Sequence, residues 1–144
     1  MTFQQGVAPA VATRSRSRPA LVTQAVGPPL PPALEGLFGL IAEPVLRLAA
    51  APDGQWTVRE IGILLGDVLD VLDEDQTIFR AADVLYETAF AVQDARERRS
   101  TCVNITDRTV QARADTVYVA LAGFRASLGT AKPSARARAR RITW

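Results

Sequence analysis

The chain has 144 residues, 48% of them hydrophobic, enough to bury one core, and it fits a single domain. It has no histidine, a single cysteine (Cys102) and a single lysine (Lys132). This removes the usual neutral-pH general base, the Ser-His and Cys-His nucleophile pairs, the commonest metal ligand, an internal disulfide and any cysteine-rich zinc site. With no glycine-rich phosphate loop either, the expectation is a protein that is not an enzyme.

The net charge of +2 conceals a partition. Residues 1–34 carry Arg14, Arg16 and Arg18 and no acid; residues 35–98 hold 5 arginines against 13 acids; residues 99–144 hold 9 basic groups against Asp107 and Asp115. Such a polarity suits binding an anionic polymer, or docking the basic part of one copy on the acidic part of another. No window crosses a membrane: the most apolar one, 34–51, is interrupted by Glu35, Glu43, Pro44 and Arg47. The composition of the first 34 residues resembles a transit peptide, but a retained arm is the expectation.

Residues 1–32 lack a periodic pattern and end in Gly27-Pro28-Pro29-Leu30-Pro31-Pro32, which favours extended backbone. Four helical stripes follow. Leu34, Leu37, Ile41, Val45 and Leu48 form the first, with Pro44 marking a kink. Pro52 to Trp56 then breaks the pattern, with Trp56 able to start a short extended segment. Val58, Ile61, Leu65, Val68 and Leu72 form the second stripe, opened by Thr57 as N-cap with Glu60 completing a capping box. Ile78, Ala82, Leu85, Ala89 and Val92 form the third, widened by Phe79, Tyr86 and Phe90. Val110, Ala114, Val117, Leu121, Phe124 and Leu128 form the fourth, with Thr106 or Asp107 near its start. Short connections favour antiparallel neighbours, so the expected fold is an all-α, up-down four-helix bundle over residues 33–128, between a Pro-rich basic arm (1–32) and a basic C-terminal arm (129–144).

The run Asp94-Ala95-Arg96-Glu97-Arg98-Arg99 lies where the third helix runs out before the fourth begins. Guanidinium groups held at the shared end of two packed helices suit bidentate phosphate contacts, which makes Arg96, Arg98 and Arg99 candidate nucleic-acid ligands. The plainer reading of the same residues is a solvated helix end whose arginines meet the C-terminal dipole. Asp67, Asp70, Asp73, Glu74 and Asp75 read either as a solvated face and loop or as an assembly surface.

The order of these features resembles the coat proteins of rod-shaped plant RNA viruses, the tobacco mosaic virus type. Four places carry the resemblance: Asp53-Gly54-Gln55-Trp56-Thr57 between two helices; Asp73-Glu74-Asp75 followed by Ile78-Phe79-Arg80 and Val84-Leu85; Asp94-Ala95-Arg96-Glu97-Arg98; and Arg113-Ala114-Asp115-Thr116-Val117. The Phe-Glu pair near the family's C-terminus is absent, and both arms are more basic than in the tobacco mosaic type. The resemblance implies a coat protein that self-assembles into a helical rod around single-stranded RNA, found in the virion and, during assembly, in the host cytoplasm. It implies RNA contacts at Arg96, Arg98, Arg113 and Asp115, with Arg59 aligned less closely. It implies termini at the outer surface. It also implies intersubunit carboxylates, here Asp70 or Asp73 facing Asp83 or Glu87 of an axial neighbour, whose repulsion is relieved by protons or weakly bound calcium; no other cofactor is expected. The alternative is another helical nucleic-acid-binding or scaffold component of a large assembly, from a phage or a ribonucleoprotein.

Overall fold

The computed structural model describes residues 29–50, 57–99, 101 and 104–139. The arm arginines Arg14, Arg16, Arg18, Arg140 and Arg141, the Asp53 to Trp56 turn and Cys102 lie outside the described residues. Every regular element among the described residues is helical: α1 (Pro32–Ala50), α2 (Val58–Asp70), α3 (Gln76–Arg99), α4 (Asp107–Ser127), a 3-10 turn (Leu128–Thr130) and a short α5 (Ala135–Ala139).

Local chemistry accounts for the boundaries. Pro32 opens α1, where a missing N–H costs nothing and its fixed φ is already helical. The helix runs on through the buried Pro44 to Ala50. Thr57 caps α2, its Oγ accepting from the Glu60 N–H at 3.4 Å. The capping box takes a different form from the reciprocal one expected: the Glu60 carboxylate accepts from the Thr57 hydroxyl at 2.9 Å, and the open Val58 N–H donates to Gln93 Oε1 of α3 at 2.7 Å. Asp75 caps α3 by accepting from the N–H groups of Thr77 and Ile78 at 2.8 and 3.4 Å. That gives one member of the acidic run a structural duty. Of the two candidates for opening α4, Thr106 is the cap, its Oγ accepting from the Thr109 N–H at 3.3 Å.

The four stripes meet in one core. Ile41 and Val45 of α1, Ile61 of α2, Ile78, Leu85 and Val92 of α3, and Val117, Leu121 and Phe124 of α4 are fully buried. Each such side chain contributes roughly 1.5–3 kcal/mol by leaving water. Helix α3 packs most extensively on α4, and α1 touches the other three long helices. Tyr86 and Phe90 do not widen the core as expected: they stay 39% and 52% exposed on the outer side of α3.

Residues 131–139, part of the expected basic C-terminal arm, pack against their own bundle. Asp73 N–H donates to Lys132 O at 2.8 Å and Ser134 N–H to Val71 O at 2.9 Å, on either side of the antiparallel bridge Leu72 to Pro133. Ser134 Oγ accepts from the Ala137 N–H at 3.0 Å and donates to Asp70 O at 3.2 Å, and Ala137 is buried. This strap lies across the turn between α2 and α3.

Candidate nucleic-acid interface

The arginines singled out by the sequence gather where α3 ends and α4 begins, but they do not share one role. Arg96, half-buried, turns inward. Its Nη2 donates to Ala49 O at 2.8 Å and its Nη1 to Leu48 O, the last carbonyls of α1. A helix C-terminus leaves such carbonyls without intrahelical partners and carries partial negative charge, so a guanidinium is a natural ligand for them. Arg96 is therefore a clasp between the ends of α1 and α3.

Arg98, Arg99 and Arg113 form the outer part of the cluster. Asp94 is shared by Arg98 Nη1 at 3.6 Å and Arg113 Nη1 at 3.8 Å. Arg113 also donates to Ala91 O at 3.2 Å, which ties α4 to α3. Arg99 Nη2 meets Asp107 Oδ1 at 2.5 Å across the α3–α4 connection. Arg98 and Arg99 are exposed, and Arg108 is exposed one residue beyond Asp107. Ion pairs this exposed contribute roughly 0–1 kcal/mol each, so an incoming phosphate competes for these guanidinium groups at little cost. The acids in turn dilute the field: Asp94, Glu97, Asp107 and Asp115 are interleaved with the arginines.

Asp115 accepts from Gln111 Nε2 at 3.0 Å along α4. Arg59 is exposed in the first turn of α2, next to Val58, whose N–H reaches Gln93 of α3, and it lines a depression with Ile63, Asp83 and Tyr86. Of the proposed assembly carboxylates, Asp70, Asp73 and Asp83 join Glu74 around a cleft of about 800 Å³ bounded by Leu69, Phe79 and the strap residues Ser134 and Ala135. Asp73 meets Arg138 Nη1 of the strap at 3.6 Å. Glu87 is exposed further along α3 and is not among the residues lining that cleft. Among the described residues no group of three or more His, Cys, Asp or Glu side chains is placed to hold a metal ion. Among the same residues no helix is long and apolar enough to cross a membrane.

One buried ion pair stands outside the residues expected from the sequence. Arg125 is only 4% exposed, and its Nη2 reaches both Glu35 carboxylate oxygens at 3.0 and 2.9 Å, with its guanidinium carbon 5.8 Å from the Phe38 ring centre. A signal was present: Arg125 follows Leu121 by four and precedes Leu128 by three, so it falls on the core stripe of α4. Arg125 to Glu35, Arg113 to Asp94 and Arg138 to Asp73 all join the basic last third of the chain to its acidic middle. Part of the charge partition is thus neutralised inside one molecule. Comparison of the chain with known protein families, with curated proteins and with solved structures finds no match.

Proposed function

We propose that this chain is a structural coat protein that self-assembles into a helical rod and encloses single-stranded RNA through sequence-tolerant phosphate contacts. The observation that carries the reading is the exposed pair Arg98 and Arg99 at the end of α3, with the half-buried Arg113 beside it. Exposed ion pairs such as those of Arg98 and Arg99 contribute about 0–1 kcal/mol, little enough for a phosphate to replace the carboxylate. Contacts of this kind accept every base, as a coat must. The resemblance in the order of motifs supplies the rod and the RNA, and the virion as the place where the protein works.

The reading includes an up-down order of the four long helices. Its support is the set of contacts between helix ends: Arg96 with the end of α1, Gln93 with the start of α2, Arg99 with the start of α4, and, at the far end, Glu35 of α1 with Arg125 of α4. The arginine cluster then sits at one tip of the bundle and the strap at the other, a polarity suited to packing around an axis.

Titration of labelled single-stranded RNA against the wild type and an Arg98→Ala, Arg99→Ala variant tests the function. Removing one phosphate-binding guanidinium lowers the slope of log K against log salt by about 0.7, so the double variant should show a slope smaller by about 1.4. An unchanged slope and affinity would remove the arginine cluster from the RNA site. The interleaving of acids favours one second reading, a helical scaffold component whose cluster serves only contacts between proteins. In that case the wild type shows no salt-dependent RNA binding at all.

A further inference from the structure

Two apolar surfaces on different faces of the bundle have no partner among the described residues, and they differ in shape. Between α3 and α4 runs a groove of about 560 Å³, with Ala81, Ala120 and Gly123 among its lining residues and Val84 and Val119 beside them. Val119 is 75% exposed. Thr88 and Thr116 also line the groove, but their hydroxyls turn back on their own helices, donating to Leu85 O at 3.0 Å and Arg113 O at 2.7 Å. The groove therefore asks little of a polar guest. On the α2–α3 side stand large side chains instead: Ile63 at 58% exposure, Tyr86 beside it, and Phe90 one turn beyond Tyr86.

We propose that the α3–α4 groove of one copy receives the Ile63, Tyr86 and Phe90 row of a second copy. The inference rests on the self-assembly part of the function proposed above and names its surfaces. Small residues cannot fill the groove of a twin, so groove against groove leaves a void. The row provides the bulk that the groove lacks. Charge agrees with shape: among the described residues Arg80 is the one ionised side chain lining the groove, while the row is flanked by the exposed acids Glu60, Asp67, Asp83 and Glu87 against Arg59. In this contact Asp83 and Glu87 meet a cation, not the carboxylate of a neighbour. Because the two surfaces differ, the contact is heterologous, and it propagates from copy to copy into a ring or an open helix where a two-fold dimer would stop at two.

Complementation by surface variants provides the test. Val119→Asp blocks the groove and leaves the row; Phe90→Asp blocks the row and leaves the groove. Both sites are exposed, so circular dichroism should show wild-type helicity and melting for each. In sedimentation velocity the wild type should grow with concentration into species beyond a dimer. Each variant alone should associate at least about 30-fold more weakly, the scale expected when a central interface residue is disrupted. Mixed in equal amounts, they should form dimers and nothing larger, since only one intact groove and one intact row meet. A mixture that stays monomeric while the wild type polymerises overturns the pairing, as does either variant assembling like the wild type. A wild type that stays monomeric throughout overturns it together with the self-assembly reading, whereas the salt-dependent RNA titration of the same samples reports on the arginine cluster separately.

Discussion

Replacing Arg96 by alanine removes the two donors that hold Leu48 O and Ala49 O at the end of α1. Hydrogen bonds from a charged donor contribute about 1.5–3 kcal/mol each, and the site is half-buried, so water replaces part of the loss. The net cost should be about 2–4 kcal/mol. For a chain of this size that lowers the melting temperature by roughly 6–12 °C. Arg98→Ala is the control, since it removes only an exposed pair with Asp94 at 3.6 Å, worth about 0.3–0.5 kcal/mol. Arg96→Lys keeps the charge near the helix end but not the planar fork, and should fall between the two. Thermal and urea unfolding followed by circular dichroism reads all three. An Arg96→Ala protein that melts within about 2 °C of the wild type would refute the clasp. The distinction matters for function, because a weaker RNA affinity in any variant at Arg96 contains a folding component that one at Arg98 does not.

Glu35→Ala should destabilise by about 3 kcal/mol in urea unfolding, because it removes the carboxylate paired with the buried Arg125 guanidinium, whereas Arg125→Met should stay within about 1.5 kcal/mol of the wild type. Equal effects of the two changes would refute the asymmetry. Thr57→Ala removes the α2 cap and should cost about 1 kcal/mol by the same measurement. A Cβ at Gly66 meets open space, so Gly66→Ala should gain about 0.5–1 kcal/mol from helix propensity, while at Gly62 it would lie 2.9 Å from Tyr86 Cε1 and the gain should vanish. Gly123→Ala should stabilise the monomer in the same way as Gly66→Ala but weaken self-association in sedimentation, since it fills the α3–α4 groove.

The helices were legible because the core stripes are nearly uninterrupted and each cap lies one residue before its helix. Periodicity located Val110, Ala114, Val117, Leu121 and Phe124 on one face of α4, with Leu128 continuing the stripe in the 3-10 turn, and every one of those six residues is buried. Tyr86 and Phe90 misled for a physical reason: they follow the third stripe by spacing, but α3 has more apolar width than its neighbours cover, and aromatic residues at its margin stay in solvent. The arginine cluster was legible in its position and not in its division of labour. Arg96 and Arg98 are two residues apart, which puts them on opposite sides of the helix, and only the presence of the α1 terminus against one side decides which of them is engaged. The strap reads as an arm in the sequence because alternating Ala and Arg carries no stripe. Its one local signal was Ser134 after Pro133, a cap waiting for a short helix.

The strap also changes how the molecule would bear load. Two backbone hydrogen bonds, Asp73 N–H to Lys132 O and Ser134 N–H to Val71 O, tie residues 132–134 to the turn after α2, with Ala137 buried behind them. A pull applied at residue 139 reaches this pair before it reaches the core face of α4. Tension would then first peel a short latch and only afterwards work against Leu121, Phe124 and Leu128. In an assembly whose copies tug on one another, such a latch yields at low force and re-forms while the bundle stays intact. Single-molecule extension from residues 30 and 139 would display it as a small early step ahead of the main rupture.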